Sequence, residues 1–285
     1  MKILIIGCNG MLAQDLKKVL QNNNIEQFGV DIPDCDITSP DSVKAILEQQ
    51  QPTVVINCAA YTAVDKAESE QDAAYSVNVT GAEVLARLSV EYNYKLVHIS
   101  TDFVFSGEQS TPYTEDAAAS PLGVYGQTKY QGEQKIQEFA RDWLIVRTAW
   151  LYGTNGNNFV KTMLDLASRH PELKVIADQI GSPTWTTDLS HALVNLLHKQ
   201  AQGLFHFSNS GQCSWHGFAE QIIANGQEMG LLEKTVPVKP IPTSEYPTPA
   251  QRPAFSLLNK TRYISVTGEV PPDWQDSLKQ MMKEL

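Results

Sequence analysis

Positive charge is in short supply in this sequence. Twenty-two lysines and arginines stand against 32 acidic residues, a net charge of −10 at pH 7. No Lys/Arg run offsets the deficit, which argues against a nucleic-acid-binding surface, because phosphate contacts need a basic patch. Cysteine is sparse too. Cys8, Cys35, Cys58 and Cys213 are scattered, none at CxxC spacing, and His partners at zinc-site intervals are missing. Neither a disulfide framework nor a zinc site is expected, and a reducing cytoplasm fits. Long hydrophobic runs are absent as well. No apolar stretch reaches the roughly 18 residues needed to span a membrane. The opening MKILIIGCNGMLAQDLKK superficially resembles a signal peptide, but its apolar run breaks at Gly7 and polar residues follow, so no targeting role is expected. Internal repeats and low-complexity linkers are also lacking.

What is present is the composition of an ordinary globular chain: 285 residues, 42% hydrophobic and 19% charged, enough for one or two domains with a large core. Short apolar, β-branched runs alternate with helical patterns. KILIIG (2–7) predicts a strand, followed by a helix from about Met11. IEQFGVD (25–31) predicts a second strand, and Ser39-Pro40 an N-cap and N1 proline for a helix through Gln50. TVVINCAA (53–60) reads as a strand buried on both faces. Residues 67–93 read as helix with Gly81 inside it, KLVHIS (95–100) as the fourth strand, and LIVRTAW (144–150) as the fifth. Between the last two lies a helix running to about Arg141. Alternation with continuously apolar strands predicts an α/β fold, a doubly wound parallel sheet covered on both faces. Ligands in such sheets bind beyond the carboxyl ends of the strands.

After Trp150 the pattern loosens. LKVIAD (173–178) and GLFHFSN (203–209) look like further strands, with a helix at about 186–198 between them. VPVKPIPTSEYPTPAQRP (236–253) holds six prolines in eighteen residues, which excludes regular helix or central strand and predicts a long ordered loop. The expected division is a dinucleotide-binding domain over 1–150 plus about 182–210. A smaller substrate-binding lobe takes about 151–181 and 211–285.

The candidate site residues fall just after the strands. Gly7-Cys8-Asn9-Gly10-Met11-Leu12-Ala13 has GxxGxxA spacing between a strand and a helix. Glycine at 7 permits a tight turn, and glycine at 10 lets backbone approach a pyrophosphate at the helix N-terminus. Gly7, Asn9, Gly10, Met11 and Leu12 are thus cofactor candidates; a plain strand-to-helix turn is the simpler reading. Asp31, about twenty residues on, can accept hydrogen bonds from an adenosine ribose, whereas the arginine that would take a 2′-phosphate is not apparent. That tilts the cofactor towards NADH without excluding NADPH. Asp36 and Ile37 suit the adenine edge. Ala59, Ala60 and Tyr61 end the third strand with small residues that let a dinucleotide lie close. Asn78 sits mid-helix, where asparagine is intrinsically poor; it either holds backbone near the site or is simply exposed.

Thr101 ends the fourth strand and can donate to a substrate carbonyl. Tyr125 and Lys129 stand four apart, one helical turn, on the same face. A carbonyl that receives hydride develops negative charge on oxygen and needs a proton. A phenol of ordinary pKa about 10 is a reluctant donor, and a nearby ammonium is expected to lower that value. Lys129 would do so and could also hold the nicotinamide ribose.

The stretches GCNGMLA, NCAAYTAVDKAE, STDFVFSG, YGQTK, RTAWLYG, DQIGSPT and QRPAFSLL, in order over residues 1 to about 260, together resemble the extended short-chain dehydrogenase/reductases, and within them the dTDP-4-dehydrorhamnose reductase family. The resemblance implies NADPH- or NADH-dependent reduction of the C4 keto group of dTDP-4-dehydro-L-rhamnose to dTDP-L-rhamnose. It implies Thr101, Tyr125 and Lys129 as a catalytic triad, with Thr62, Val64, Asp102, Phe103 and Trp150 contacting substrate and Arg252 at its nucleotide end. Phe103 stands where the family often has Tyr, and Ala13 where it often has Gly. Some relatives bind magnesium through glutamates between subunits; no clear equivalent set exists here, and no metal is assigned. A homodimer is compatible with the sequence. Dehydration is disfavoured because Phe103 cannot exchange protons. A reductase of another 6-deoxyhexose and a non-catalytic nucleotide-binding subunit are the alternatives, the intact triad weighing against the second.

Overall fold

The aliphatic runs pair as a central sheet of six parallel strands in the computed structural model, which describes residues 1–285. In chain order the first half contains β1 (Lys2–Ile6), α1 (Met11–Asn22), β2 (Glu26–Val30), α2 (Pro40–Gln50), β3 (Val54–Asn57), α3 (Val64–Ala67), α4 (Gln71–Tyr75), α5 (Gly81–Glu91), β4 (Lys95–Thr101), α6 (Val124–Phe139) and β5 (Trp143–Thr148). The second half contains β6 (Leu151–Tyr152), α7 (Phe159–Arg169), β7 (Leu173–Ile176), β8 (Ile180–Gly181), β9 (Thr184–Trp185), α8 (Thr186–His198), β10 (Gly203–His206), β11 (Cys213–Ser214), α9 (Trp215–Glu228), β12 (Val238–Ile241), α10 (Thr261–Thr267) and α11 (Trp274–Met282). The sheet order is β10-β5-β4-β3-β1-β2. Its direction of winding reverses between β1 and β3, which opens a crevice at their carboxyl ends.

Period-two alternation decides the two cores. Ile3, Ile5, Val97 and Val146 face α1 and α8, whereas Leu4, Val55, Leu96 and Ile145 face α2, α5 and α6. A third core lies outside the sheet, where Tyr152, Val160, Trp185, Phe218, Ile222, Trp274 and Leu278 pack together. Two-stranded ribbons β7–β12, β8–β11 and β6–β9 edge this region. Helix α10, inside the stretch assigned from sequence to the smaller lobe, packs on α8 and β10, and its Tyr263 joins the sheet core. No helix is long and apolar enough to cross a membrane.

Several boundaries differ from expectation. The third strand stops at Asn57 rather than Ala60, because residues 58–60 leave the ladder to form the crevice wall. The helix expected over 67–93 is two short pieces, α3 and α4, then a π-helical turn at Ser76–Thr80 that runs into α5. The proline-rich stretch is not all loop. Val238–Ile241 pairs in parallel with β7, tolerated because a two-stranded ribbon leaves Pro240 an unpaired side.

Candidate active site

Backbone geometry builds the floor of the site. Gly7 has φ +78°, and a Cβ there would lie 2.6 Å from the Ala59 nitrogen. Only glycine meets both demands. The loop after it is tied to β2 through Gly7 and Cys8 N–H groups donating to the Val30 carbonyl. Helix α1 then begins with no side-chain cap, so its first N–H groups stay available. Asp31 accepts from the N–H groups of Asn9 and Ile32, both at 2.9 Å, which folds the glycine loop against the end of β2. Asp36 accepts from both the N–H and hydroxyl of Thr38.

A cavity of about 740 Å³ lies over this floor. Its wall includes Gly7, Asn9, Gly10, Met11, Leu12, Asp31, Asp36, Ile37, Ala59, Ala60 and Tyr61 on one side. Thr62, Val64, Thr101, Asp102, Phe103, Tyr125, Lys129 and Trp150 line the other. Two sequence candidates are elsewhere. Asn78 is buried behind the wall in the π-helical turn. It accepts from the Tyr61 N–H and donates to the Tyr61 carbonyl and the Thr128 hydroxyl. It therefore holds backbone, as one sequence reading has it, and is not among the residues that line the cavity. Arg252 lines a separate groove of about 440 Å³ with Asp178, Thr243 and Tyr246. Both its terminal nitrogens donate to the Asp65 carboxylate, at 2.8 and 3.1 Å. The sequence could not show that a neighbour in α3 occupies this guanidinium.

Around the reacting groups, Thr101 donates to Asp102 Oδ1 and accepts from the Phe103 N–H. The Phe103 ring stands edge-on to Tyr125 with centroids 5.4 Å apart, so the phenylalanine that departs from the family pattern orients the phenol by packing. Tyr125 is partly exposed where it lines the cavity, but the protein atoms crowding its phenol push its pKa up to about 12, with the neighbouring Thr101 hydroxyl acting in the opposite direction. The sequence argument expected Lys129 to acidify this phenol. Lys129 does not contribute to the shift; burial raises the phenol, the Asp102 carboxylate adds to the rise, and the net change is upwards. Lys129 is itself buried and donates to the Ile99 carbonyl at 2.7 Å. Burial lowers its pKa to about 8, while Glu133 and Cys58 oppose the fall. Asp102 is buried with Oδ2 unpartnered, and burial raises it to about 6.

Other functional neighbours were not legible from spacing. Glu133, fully buried one turn beyond Lys129, accepts a fork of bonds from Arg147 at 2.6 and 2.8 Å and one from Ser100 at 2.5 Å. The indole of Trp150 stacks on Trp215, centroids 3.7 Å apart. A Cβ on Gly181 would come within 2.7 Å of the Trp150 ring, so DQIGSPT carries its glycine to admit that indole. Glu68 receives the Val124 N–H at the start of α6. Helical position alone offered a signal for Glu133, four residues after Lys129.

The family model described as RmlD substrate binding domain matches residues 1–285. A dTDP-4-dehydrorhamnose reductase of Aggregatibacter actinomycetemcomitans is 40% identical, over 98% of each chain. The crystal structure of a dTDP-4-dehydrorhamnose reductase from Clostridium acetobutylicum superimposes with a TM-score of 0.94 at 41% identity, covering 100% of this chain and 99% of that one. That of the Bacillus anthracis enzyme in complex with NADP gives 0.94 at 38% identity, with complete coverage of both. The alternation of strands, the glycine turn and the convergence of Thr101, Tyr125 and Lys129 thus accompany likeness along the whole length, and the chain belongs to the dTDP-4-dehydrorhamnose reductase family.

Proposed function

We propose that this protein reduces the C4 keto group of dTDP-4-dehydro-L-rhamnose to give dTDP-L-rhamnose, with NADPH or NADH as reductant. The observation that carries the reading is that Thr101, Tyr125 and Lys129 line one cavity with the glycine turn. The cavity fits a dinucleotide: Gly7 leaves no room for a side chain beside Ala59, and the start of α1 is uncapped. Gly7, Asn9, Gly10, Met11 and Leu12 would hold the pyrophosphate, Asp31, Asp36 and Ile37 the adenosine, and Ala59, Ala60, Tyr61 and Lys129 the nicotinamide end. When bound, that cofactor supplies hydride.

The chain's own residues supply the proton and the pocket. Tyr125, with a pKa of about 12, is fully protonated at neutral pH and gives its proton to the developing alkoxide, a far stronger base than phenolate. Thr101, by turning its hydroxyl away from Asp102, would donate a hydrogen bond to the same oxygen. The Lys129 ammonium would stabilise the phenolate left behind. Asp102 has an unpartnered oxygen suited to a sugar hydroxyl, and Thr62, Val64, Phe103 and Trp150 would frame the ring. Arg252 would serve the nucleotide end only by leaving Asp65. The sheet half would carry the cofactor and the outlying core the sugar nucleotide. Incubation with reduced nicotinamide and the dTDP-4-keto sugar tests this: loss of the reduced cofactor's absorbance is expected, with product NMR fixing the C4 configuration. Cofactor binding without turnover would favour a non-catalytic subunit.

A further inference from the structure

Asn57, the last residue of β3, and His98, in the middle of β4, are register partners on neighbouring parallel strands. Both are buried, on the sheet face that α6 covers. Backbone dictates how the Asn57 amide points. The Ala59 N–H, which can only donate, reaches Asn57 Oδ1 at 3.1 Å. The NH₂ end therefore faces His98 Nδ1, also at 3.1 Å. An amide NH₂ only donates, so Nδ1 must offer its lone pair and the neutral ring carries its proton on Nε2. Nε2 lies 3.2 Å from Lys129 Nζ.

That arrangement distinguishes the two states of the lysine. An ammonium has three N–H donors and no lone pair, so N–H would confront N–H across the 3.2 Å contact. A neutral amine accepts from Nε2–H and still donates to the Ile99 carbonyl. Moving the ring proton to Nδ1 to spare the ammonium would set Nδ1–H against the amide NH₂, and flipping the amide would orphan the Ala59 N–H. Other charged or titratable groups bear on Lys129. Glu133 on its own helix and Cys58 beyond β3 favour the charged form, but Glu133 is already paired with Arg147 of β5. Tyr125, one turn earlier on α6, is protonated at neutral pH. His98 itself is kept neutral by burial and by Lys129.

We propose that Asn57 and His98 are a positioning pair that locks the imidazole as its Nε2–H tautomer and thereby biases Lys129 towards the neutral amine. The lysine's charge becomes conditional, favoured when an anion forms nearby. The kinetic part of this inference rests on the reductase reading; the tautomer does not.

Long-range proton–nitrogen NMR on the full chain, with the His98 signal assigned by its loss in His98→Gln, reads the lock directly. The ring proton is expected on Nε2; a proton on Nδ1 overturns the proposal. Asn57→Asp supplies the opposite lock, because one carboxylate oxygen can keep the Ala59 N–H while the other takes Nδ1–H. The ring proton should move to Nδ1, and Lys129, followed by its side-chain carbon shift, should titrate at least tenfold less readily, about one pH unit higher. The double variant Asn57→Asp with His98→Phe keeps the added charge without the ring and should lose most of that rise. An equal rise there would assign it to charge alone and defeat the proposal. If Asn57→Asp does not fold, the wild-type tautomer decides by itself. None of these signals needs turnover, so an absent reductase activity would defeat the proposed reaction and leave this test intact.

Discussion

Helices α1 and α6 cover opposite faces of one sheet, yet they bury different chemistry. The inner surface of α1 is Leu12, Ala13, Leu16, Val19 and Leu20, with one polar exception, Asp15. The inner surface of α6 is Gly126, Thr128, Lys129, Gly132 and Glu133, with Ile136 the one buried aliphatic residue. Hydrocarbon burial holds the first by the removal of apolar surface from water. The second is held by paired polar groups: Lys129 to Ile99, Thr128 to Asn78, Glu133 to Arg147 and Ser100. Buried polar networks contribute less than apolar packing of equal volume and fail badly when one member is lost. One face of the sheet therefore supplies stability, and the other places titratable groups at the crevice at some expense to it.

The severest challenge to this contrast is Glu133→Gln. It leaves the buried Arg147 charge uncompensated, and a loss of about 3–5 kcal/mol is expected in denaturant melts. A smaller loss would mean the α6 network is slack. Leu16→Ala, on the other helix, should lose about 2–5 kcal/mol while turnover per folded molecule stays at the wild-type level. Reduced turnover there would erase the division between the faces. Asp102→Asn sharpens it from the functional side. The displacement of Asp102 from 3.8 to about 6 corresponds to a penalty on the order of 3 kcal/mol. Because the folded pKa is raised, that penalty is complete above about pH 6 and absent below the ordinary 3.8. The variant should melt higher than wild type at pH 8, show little advantage near pH 4, and bind substrate more weakly.

Tyr125→Phe should leave the melting temperature and cofactor affinity near wild type while turnover falls on the order of 10² or more. Wild-type turnover would remove Tyr125 from the mechanism. The gentlest test is pH. Lys129 is depressed to about 8, so its charge is present below that value and lost as pH rises through it. The turnover profile should bend downwards near pH 8, well before the ordinary lysine range; a profile flat to pH 10 would contradict the role given to Lys129.

Much of this architecture could be read in advance, for local reasons. A strand's alternation and a helix's start are fixed within a few residues, so KILIIG, Ser39-Pro40 and the helix over 186–198 announced themselves. Tyr125 and Lys129 could be placed on one face because four residues make a turn. What local pattern left open shares a different cause. Asn78, Arg252, Asn57, His98 and Glu133 acquire their roles from partners 17, 187, 41, 31 and 14 residues away, and no local pattern encodes which partner a polar group will meet.

The sequence by itself determined the alternation of elements, the glycine turn at Gly7 and the one-turn spacing of the phenol and the amine, because backbone sterics and hydrophobic period act over short stretches of chain. Only the tertiary structure decided how those groups ionise and which of them face a ligand. Register between β3 and β4 set Asn57 beside His98, the rotation of α6 brought Lys129 onto that pair, and Asp65 reached Arg252. Desolvation and pairing depend on what surrounds a group in space, and that is a property of the packed molecule.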